Sequence, residues 1–254
     1  MLARMEHGDY LDGVRAQIAG MAAELDGKDP GTRVPSCPDW DVAALIKHVG
    51  MIHRWVSQIA RTRATEPVSW KSVELGLPED AAAMPGWLAA GAEPLADALS
   101  ADPDTPVWSF GSDGSVGWWA RRMLHETTVH RVDGQLALGV APDIGDEVAL
   151  DGVEELLGAW CPAVGGAKRV AELGRVGDSL HLHATDAPGE WTITLTEDGY
   201  DWERGHTKAT VAVRGTAVDL YLLMWNRRRL ADAERFETFG DSTLMDAWLA
   251  ATGF

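Results

Sequence analysis

The chain has 254 residues, 46% of them apolar, and a formal net charge of -17. This is the composition of a soluble globular protein, long enough for one large domain or two of ordinary size. So negative a chain opposes any polyanion, which excludes nucleic acid and anionic membrane surfaces as partners unless a local basic patch overrides the charge. Two cysteines, Cys37 and Cys161, provide no disulfide framework. No run reaches the length of a membrane span and nothing near Met1 resembles an apolar signal segment, so the expected location is cytoplasmic.

In chain order, residues 8–25 carry Tyr10, Val14, Ile18, Met21 and Leu25 at helical spacing and then break in GKDPGTRVPSCPDW, a long loop punctuated by proline. Asp41 is placed to cap a second helix over 42–60. There Val42, Leu45, Ile46, Val49, Ile52, Val56 and Ile59 form one apolar arc, with His48 at its edge beside Ile52 and Trp55. From position alone, His48 reads equally as a rim histidine in water or as a ligand. His53 falls inside the arc and reads as a hydrogen-bonded structural histidine. Cys37 lies near a helix start, where a thiolate is favoured, but Pro35 and Pro38 flank it, and a buried small apolar side chain is expected. A third helix over 84–100 is expected to be kinked or split by Pro94.

The turn-rich ADPDTPVWSFGSDG leads into a long helix over 115–139, where Val116, Trp119, Met123, Thr127, Val129 and Leu136 recur roughly every turn. Glu126 and His130 sit four residues apart on it. That spacing leaves them about 40° apart around the axis and about 6 Å along it, so both can reach one point. Taken alone, the pair reads first as an ordinary polar pair on a solvated face. The neighbouring His125 gives HExxxH rather than a zincin motif and is turned about 140° from His130. Four helices with polar loops between them predict an antiparallel bundle, whose core can build a metal site from facing helices, and His48 supplies the third ligand that the pair lacks. Of the 12 tryptophans, Trp55, Trp118 and Trp119 lie near these residues and are candidates to wall a pocket. The glycines at 111, 114 and 117 miss the spacing of a nucleotide fingerprint.

Near Pro142 the periodicity changes. After a helix over 146–160 come alternating segments at 179–184, 191–196, 200–204 and 210–213, with Asp198-Gly199 as a hairpin turn, which predicts a small antiparallel sheet. His181 and His183 share one face of their strand; such a pair can bind metal, but a solvated outer face is the commoner reason for it. Thr216 and Asp219 form a T-x-x-D box that opens a helix ending at Arg227, Arg228 and Arg229. The helix dipole alone explains three arginines there. They are also the densest basic cluster of an acidic chain and suit gripping an anionic or polar substrate. A strand at 235–239 and a helix over 242–251 complete an α+β fold, with domains expected at 1–143 and 144–254.

VPSCPDWDVAALIKHVGMIHRW and WARRMLHETTVHRVDGQLALG together resemble the mycothiol-dependent maleylpyruvate isomerase family, over essentially the full chain. The resemblance implies a DinB-like four-helix metal-binding domain followed by a small domain of sterol-carrier-protein type. The family's zinc-binding histidine in an LxxHxG-like motif matches His48, and its E-x-x-x-H on the last bundle helix matches Glu126 and His130. Its catalytic arginine, at a helix end in the second domain, matches Arg227, with Arg228 as the neighbouring choice. Asp39 and Asp41 stand where the family often has glycine and threonine, and either residue still permits a cap.

Two histidines and a glutamate suit zinc, and three protein ligands leave a fourth position open. The resemblance fills that position with mycothiol, a low-molecular-weight thiol. The partners it implies are therefore that thiol and an electrophilic small molecule, handled by S-transfer or by thiol-assisted cis-trans isomerisation on a monomer or homodimer. Arg227 would hold a carboxylate of the reactant, so the two domains are expected to share one active site. A non-catalytic metal-binding or sensing module is the alternative of a different class.

Overall fold

The computed structural model describes residues 5–111 and 114–253. Ser112 and Asp113 of the turn-rich loop, and the ends of the two expected domains at 1–4 and 254, lie outside the described residues. The described residues divide into two compact units, one within 5–143 and one within 144–253.

In the first unit, α1 (His7–Leu25), α2 (Val42–Thr62), the pair α3 (Met84–Ala89) and α4 (Ala92–Ala98), and α5 (Val116–Ala137) make the four-helix arrangement. Most apolar positions read from the sequence are buried, among them Val14, Ile18 and Met21 of α1, Leu45, Val49, Val56 and Ile59 of α2, and Val116, Trp119, Met123 and Val129 of α5, while Ile52 and Leu136 are only partly buried; Leu88 of α3, Leu95 of α4, and Ala120 and Leu124 of α5 complete the core. Each large aliphatic side chain so buried contributes about 1.5–3 kcal/mol, which selects this pairing of helix faces. The caps are local. The Asp41 carboxylate accepts from the Ala44 amide at 2.8 Å, and the Ser115 hydroxyl accepts from the Trp118 amide at 3.1 Å.

The third helix is split as expected, but at Ala90 and Gly91 and not at Pro94. Pro94 falls in the first turn of α4, where a missing N–H removes no intrahelical bond.

In the second unit, α6 (Asp146–Glu155) runs into a wider π-type turn, Leu156–Trp160, and then into two short helices, α7 (Cys161–Ala163) and α8 (Gly166–Ala171). Pro162 and the Gly165-Gly166 pair disguise these two in the sequence. The strands are β1 (Ser179–Ala184), β2 (Glu190–Thr196), β3 (Gly199–Arg204), β4 (Val211–Gly215) and β5 (Glu237–Gly240). Their order in the sheet is β3-β2-β1-β4-β5.

Three pairings are antiparallel, as expected, while β1 and β4 run parallel, so the sheet is mixed. The cause is topological: after the β1-β2-β3 meander the chain crosses to the free edge of β1 and enters β4 in the direction of β1. The β2–β3 turn is Glu197-Asp198, since Thr196 pairs with Gly199, whose φ of 143° favours glycine.

Leu180, Leu182, Ile193, Val211 and Val213 are buried on one face of the sheet, the side on which α9 (Ala217–Met224) packs against β1 and β4. The chain closes with α10 (Ser242–Thr252). His181, on the opposite face, does not follow the expected solvated pattern: it is buried. Among the described residues, no helix is long and apolar enough to cross a membrane.

Candidate metal centre

Helices α2 and α5 pack against each other, and the i,i+4 pair of α5 meets the rim histidine of α2. His48 Nε2 lies 3.0 Å from Glu126 Oε1, and His130 Nε2 lies 3.4 Å from the same oxygen. The two imidazoles meet edge to face with centroids 4.9 Å apart. The three donor atoms are within 4.8 Å of one another. A tetrahedral zinc ion at about 2.0–2.2 Å from nitrogen and oxygen donors spaces those donors about 3.3–3.5 Å apart, so this set fits such an ion.

Around these three residues the structure adds groups that sequence reasoning missed. Asp133, fully buried one turn after His130, accepts from His130 Nδ1 at 2.8 Å and from the Ser36 hydroxyl at 2.5 Å. A carboxylate only accepts, so Nδ1 carries the hydrogen, and Nε2 is directed at Glu126 and His48. A sequence signal for it exists: Glu126, His130 and Asp133 follow one helix face at spacings of four and three. Arg122, one turn before Glu126 and also buried, brings Nη2 to 3.3 Å from Glu126 Oε2. The bundle therefore carries a cation of its own at the site, whereas the sequence pattern points to one only in the second domain.

The loop before α2 supplies the remaining wall. Val34 donates to the Trp40 carbonyl, Trp40 to that of Cys37 and Cys37 to that of Val34, and the Arg33 guanidinium bonds the Pro38 carbonyl. Folded this way, the loop sets the Trp40 ring 4.7 Å from the His48 ring and 5.7 Å from that of His130. Cys37 is half-buried rather than buried, with Sγ 3.7 Å from Asp133 Oδ2. Cys37, His130 and Asp133 form a second group of close donors, but there the Nδ1 of His130 is already engaged by Asp133.

Charge at the site is set by these contacts. Burial opposes the ionised form of Glu126, but hydrogen bonds from His130 and His48 and the Arg122 charge outweigh it and hold its pKa well below the usual carboxylate range. Burial likewise opposes a charged His130, yet hydrogen bonds to Asp133 and Glu126 raise its pKa to about 9. His53 behaves as the structural histidine expected: it is fully buried and bonded to the Thr127 hydroxyl at 2.9 Å, and burial lowers its pKa to about 3.

Trp55 and Trp119 meet edge to face at 5.5 Å in a cluster with Trp108 and Phe110, and Trp118 abuts Trp119. Among the described residues, the ring against the histidines is that of Trp40, not one of the three tryptophans expected there.

Arg227 belongs to the second unit, just past α9. Asn226 takes the left-handed conformation (φ 59°) that ends the helix, and the Arg227 amide bonds back to the Leu222 carbonyl at 2.7 Å. Its guanidinium donates to the Trp225 carbonyl at 2.8 Å, while Arg228 Nε lies 3.7 Å from Asp219.

Residues 11–134 match the family model described as the mycothiol maleylpyruvate isomerase N-terminal domain, and residues 147–247 match that of the MDMPI C-terminal domain. Among solved structures, the chain is similar to the crystal structure of the mycothiol-dependent maleylpyruvate isomerase, at 15% identity and a TM-score of 0.60, over 94% of this chain and 95% of that one. It is equally similar to a histidine-to-alanine mutant of that enzyme, at 14% identity and a TM-score of 0.60 over the same shares. At such identities the likeness shows the fold. No curated protein matches the chain.

Proposed function

Because the chain belongs to the mycothiol-dependent maleylpyruvate isomerase family, we propose that it is a metal-dependent enzyme that activates a low-molecular-weight thiol, mycothiol, for attack on an electrophilic small molecule. The observation that carries the proposal is the convergence of His48 Nε2 and His130 Nε2 on Glu126 Oε1 at 3.0 and 3.4 Å, with His130 aligned by Asp133. His48, Glu126 and His130 would hold the metal, and zinc suits a donor set of two imidazoles and a carboxylate. Bound there, a divalent ion supplies the Lewis acidity that brings a thiol to its thiolate form near neutral pH.

The remaining work falls to the chain itself. Asp133 fixes the His130 ring, and Arg122 keeps Glu126 ionised and positioned through its second oxygen. Trp40 covers one side of the two imidazoles with an apolar face, which limits water there and strengthens the electrostatic contacts. Arg227 is assigned the part of gripping the carboxylate of an anionic electrophile, as a planar donor in the basic cluster of an otherwise acidic chain.

A thiolate that adds to a conjugated double bond, allows rotation and leaves again gives cis-trans isomerisation. One that stays attached or displaces a leaving group gives S-transfer. Family membership favours isomerisation. Incubating the metal-loaded protein with mycothiol and a panel of electrophiles, maleylpyruvate among them, and weighing the products by mass spectrometry tests the proposal. An unchanged mass with altered geometry marks isomerisation, an added thiol marks transfer, and no mycothiol-dependent product from any member would refute the enzyme reading.

A further inference from the structure

His181 lies on β1, the central strand of the sheet, and is only 4% exposed although it points away from the Leu180 and Leu182 face. The loop after β3 covers it by laying the His206 ring against it edge to face, with centroids 4.8 Å apart. Glu190, the first residue of β2, faces both: it pairs in register with His183 and lies diagonally across from His181.

Three imidazoles thus converge on one carboxylate oxygen. Glu190 Oε1 lies 2.7 Å from His183 Nδ1, 2.8 Å from His206 Nδ1 and 3.4 Å from His181 Nε2. The hydrogen bonds of His183 and His206 occupy its two lone pairs. His181 Nε2 is shut off from water and makes no hydrogen bond, although it is aimed at the same oxygen. A buried nitrogen in that position is costly unless a partner arrives from outside the chain.

We infer that His181, Glu190 and His206 form a second metal site, within residues 144–254, for a divalent ion of the zinc class. Their donor atoms lie within 4.8 Å of one another. The 3.4 Å from Glu190 Oε1 to His181 Nε2 matches the spacing of about 3.3–3.5 Å that tetrahedral zinc imposes, and the 2.8 Å to His206 Nδ1, on an exposed side chain, is about 0.5 Å shorter. Two imidazoles and one carboxylate select zinc, nickel or copper over magnesium or calcium, which prefer all-oxygen shells. His183 holds the Glu190 carboxylate in place as a hydrogen-bond donor. The three ligands come from β1, β2 and the loop after β3, so the ion ties that loop to the sheet. His206 is exposed and leaves the outer side of the ion open to water.

The test is zinc stoichiometry by equilibrium dialysis and elemental analysis on the full chain. Wild type is expected to hold two ions, and His206→Ala, a change at an exposed side chain, should hold one. A chain carrying His48→Ala and His130→Ala should still hold one ion, lose it when Glu190→Gln or His206→Ala is added, and show a zinc-dependent rise in Tm that disappears with it. If the bundle site fails instead, wild type holds a single ion that His206→Ala abolishes, so the two proposals fail separately. Zinc content unchanged by both Glu190→Gln and His206→Ala would overturn the second site.

Discussion

Asp133 accepts the Nδ1 hydrogen of His130 at 2.8 Å, while its other oxygen accepts from the Ser36 hydroxyl in the loop before α2. The His130 ring on α5, a proposed metal ligand, is therefore oriented by a carboxylate that is itself held by a different segment of the chain. Asp133→Asn keeps the shape and removes the charge, and should lower metal affinity by about 10- to 100-fold without unfolding the bundle. Competition with a chromophoric chelator measures it; an affinity equal to wild type would show that the pair does not tune the site.

The donors themselves should matter more. Replacing His48, Glu126 or His130 singly by Ala should abolish stoichiometric metal at the bundle site. Elemental analysis in a His206→Ala background isolates that site, and metal content unchanged in all three variants would sink it.

The pH dependence of the metal-free protein follows from His130. Its folded pKa, about 9, is above the ordinary histidine value of 6.5, so protonation stabilises the fold. The gain is fully present below about pH 6.5 and is lost as pH rises through about 9, amounting to about 3 kcal/mol. Chemical unfolding of chelator-treated protein should show this loss between those limits, and His130→Gln should flatten it. Metal binding must displace the same proton, so affinity should rise across the same window. A pH-independent affinity there would contradict the assignment.

Much of the bundle site is legible in the sequence because it is written in one periodicity. Glu126 and His130 are placed by helical spacing and His48 by the arc of α2, and the same count extended by three residues reaches Asp133. Trp40 and Ser36 are not legible, because they reach the site through a loop closed by backbone hydrogen bonds that no periodicity encodes. The same holds for His206, which a loop carries onto β1. Burial of His181 depends on that loop, so strand alternation alone assigns it to solvent. The parallel pairing of β1 with β4 is a property of the crossover, invisible in either strand.

Gly50 shows why α2 can lie so close to α3. A Cβ there would overlap the Trp87 ring, which is held by its bond to the Leu75 carbonyl at 2.8 Å and covered by the Arg54 guanidinium at 3.8 Å. Gly50→Ala should cost about 1–3 kcal/mol by overpacking. A denaturation midpoint equal to wild type would mean that the ring moves freely.

Arg227→Ala should leave metal content unchanged and lower turnover of an anionic electrophile by a factor on the order of 10². A neutral electrophile should suffer less. Equal turnover of both by wild type and variant would move the role to Arg228 or Arg122, which the corresponding single variants would distinguish.

If the residues around Glu126 bring mycothiol to its thiolate on a bound metal, the thiolate should be visible there. The measurement is a titration of the cobalt-substituted protein with mycothiol near neutral pH, following the near-ultraviolet thiolate-to-cobalt charge-transfer band and the protons released. A saturable band is expected, with one proton released per thiol bound, and it should be absent in His48→Ala. No band at saturating mycothiol, with mycothiol-dependent turnover persisting in the same sample, would refute activation of the thiol by the metal.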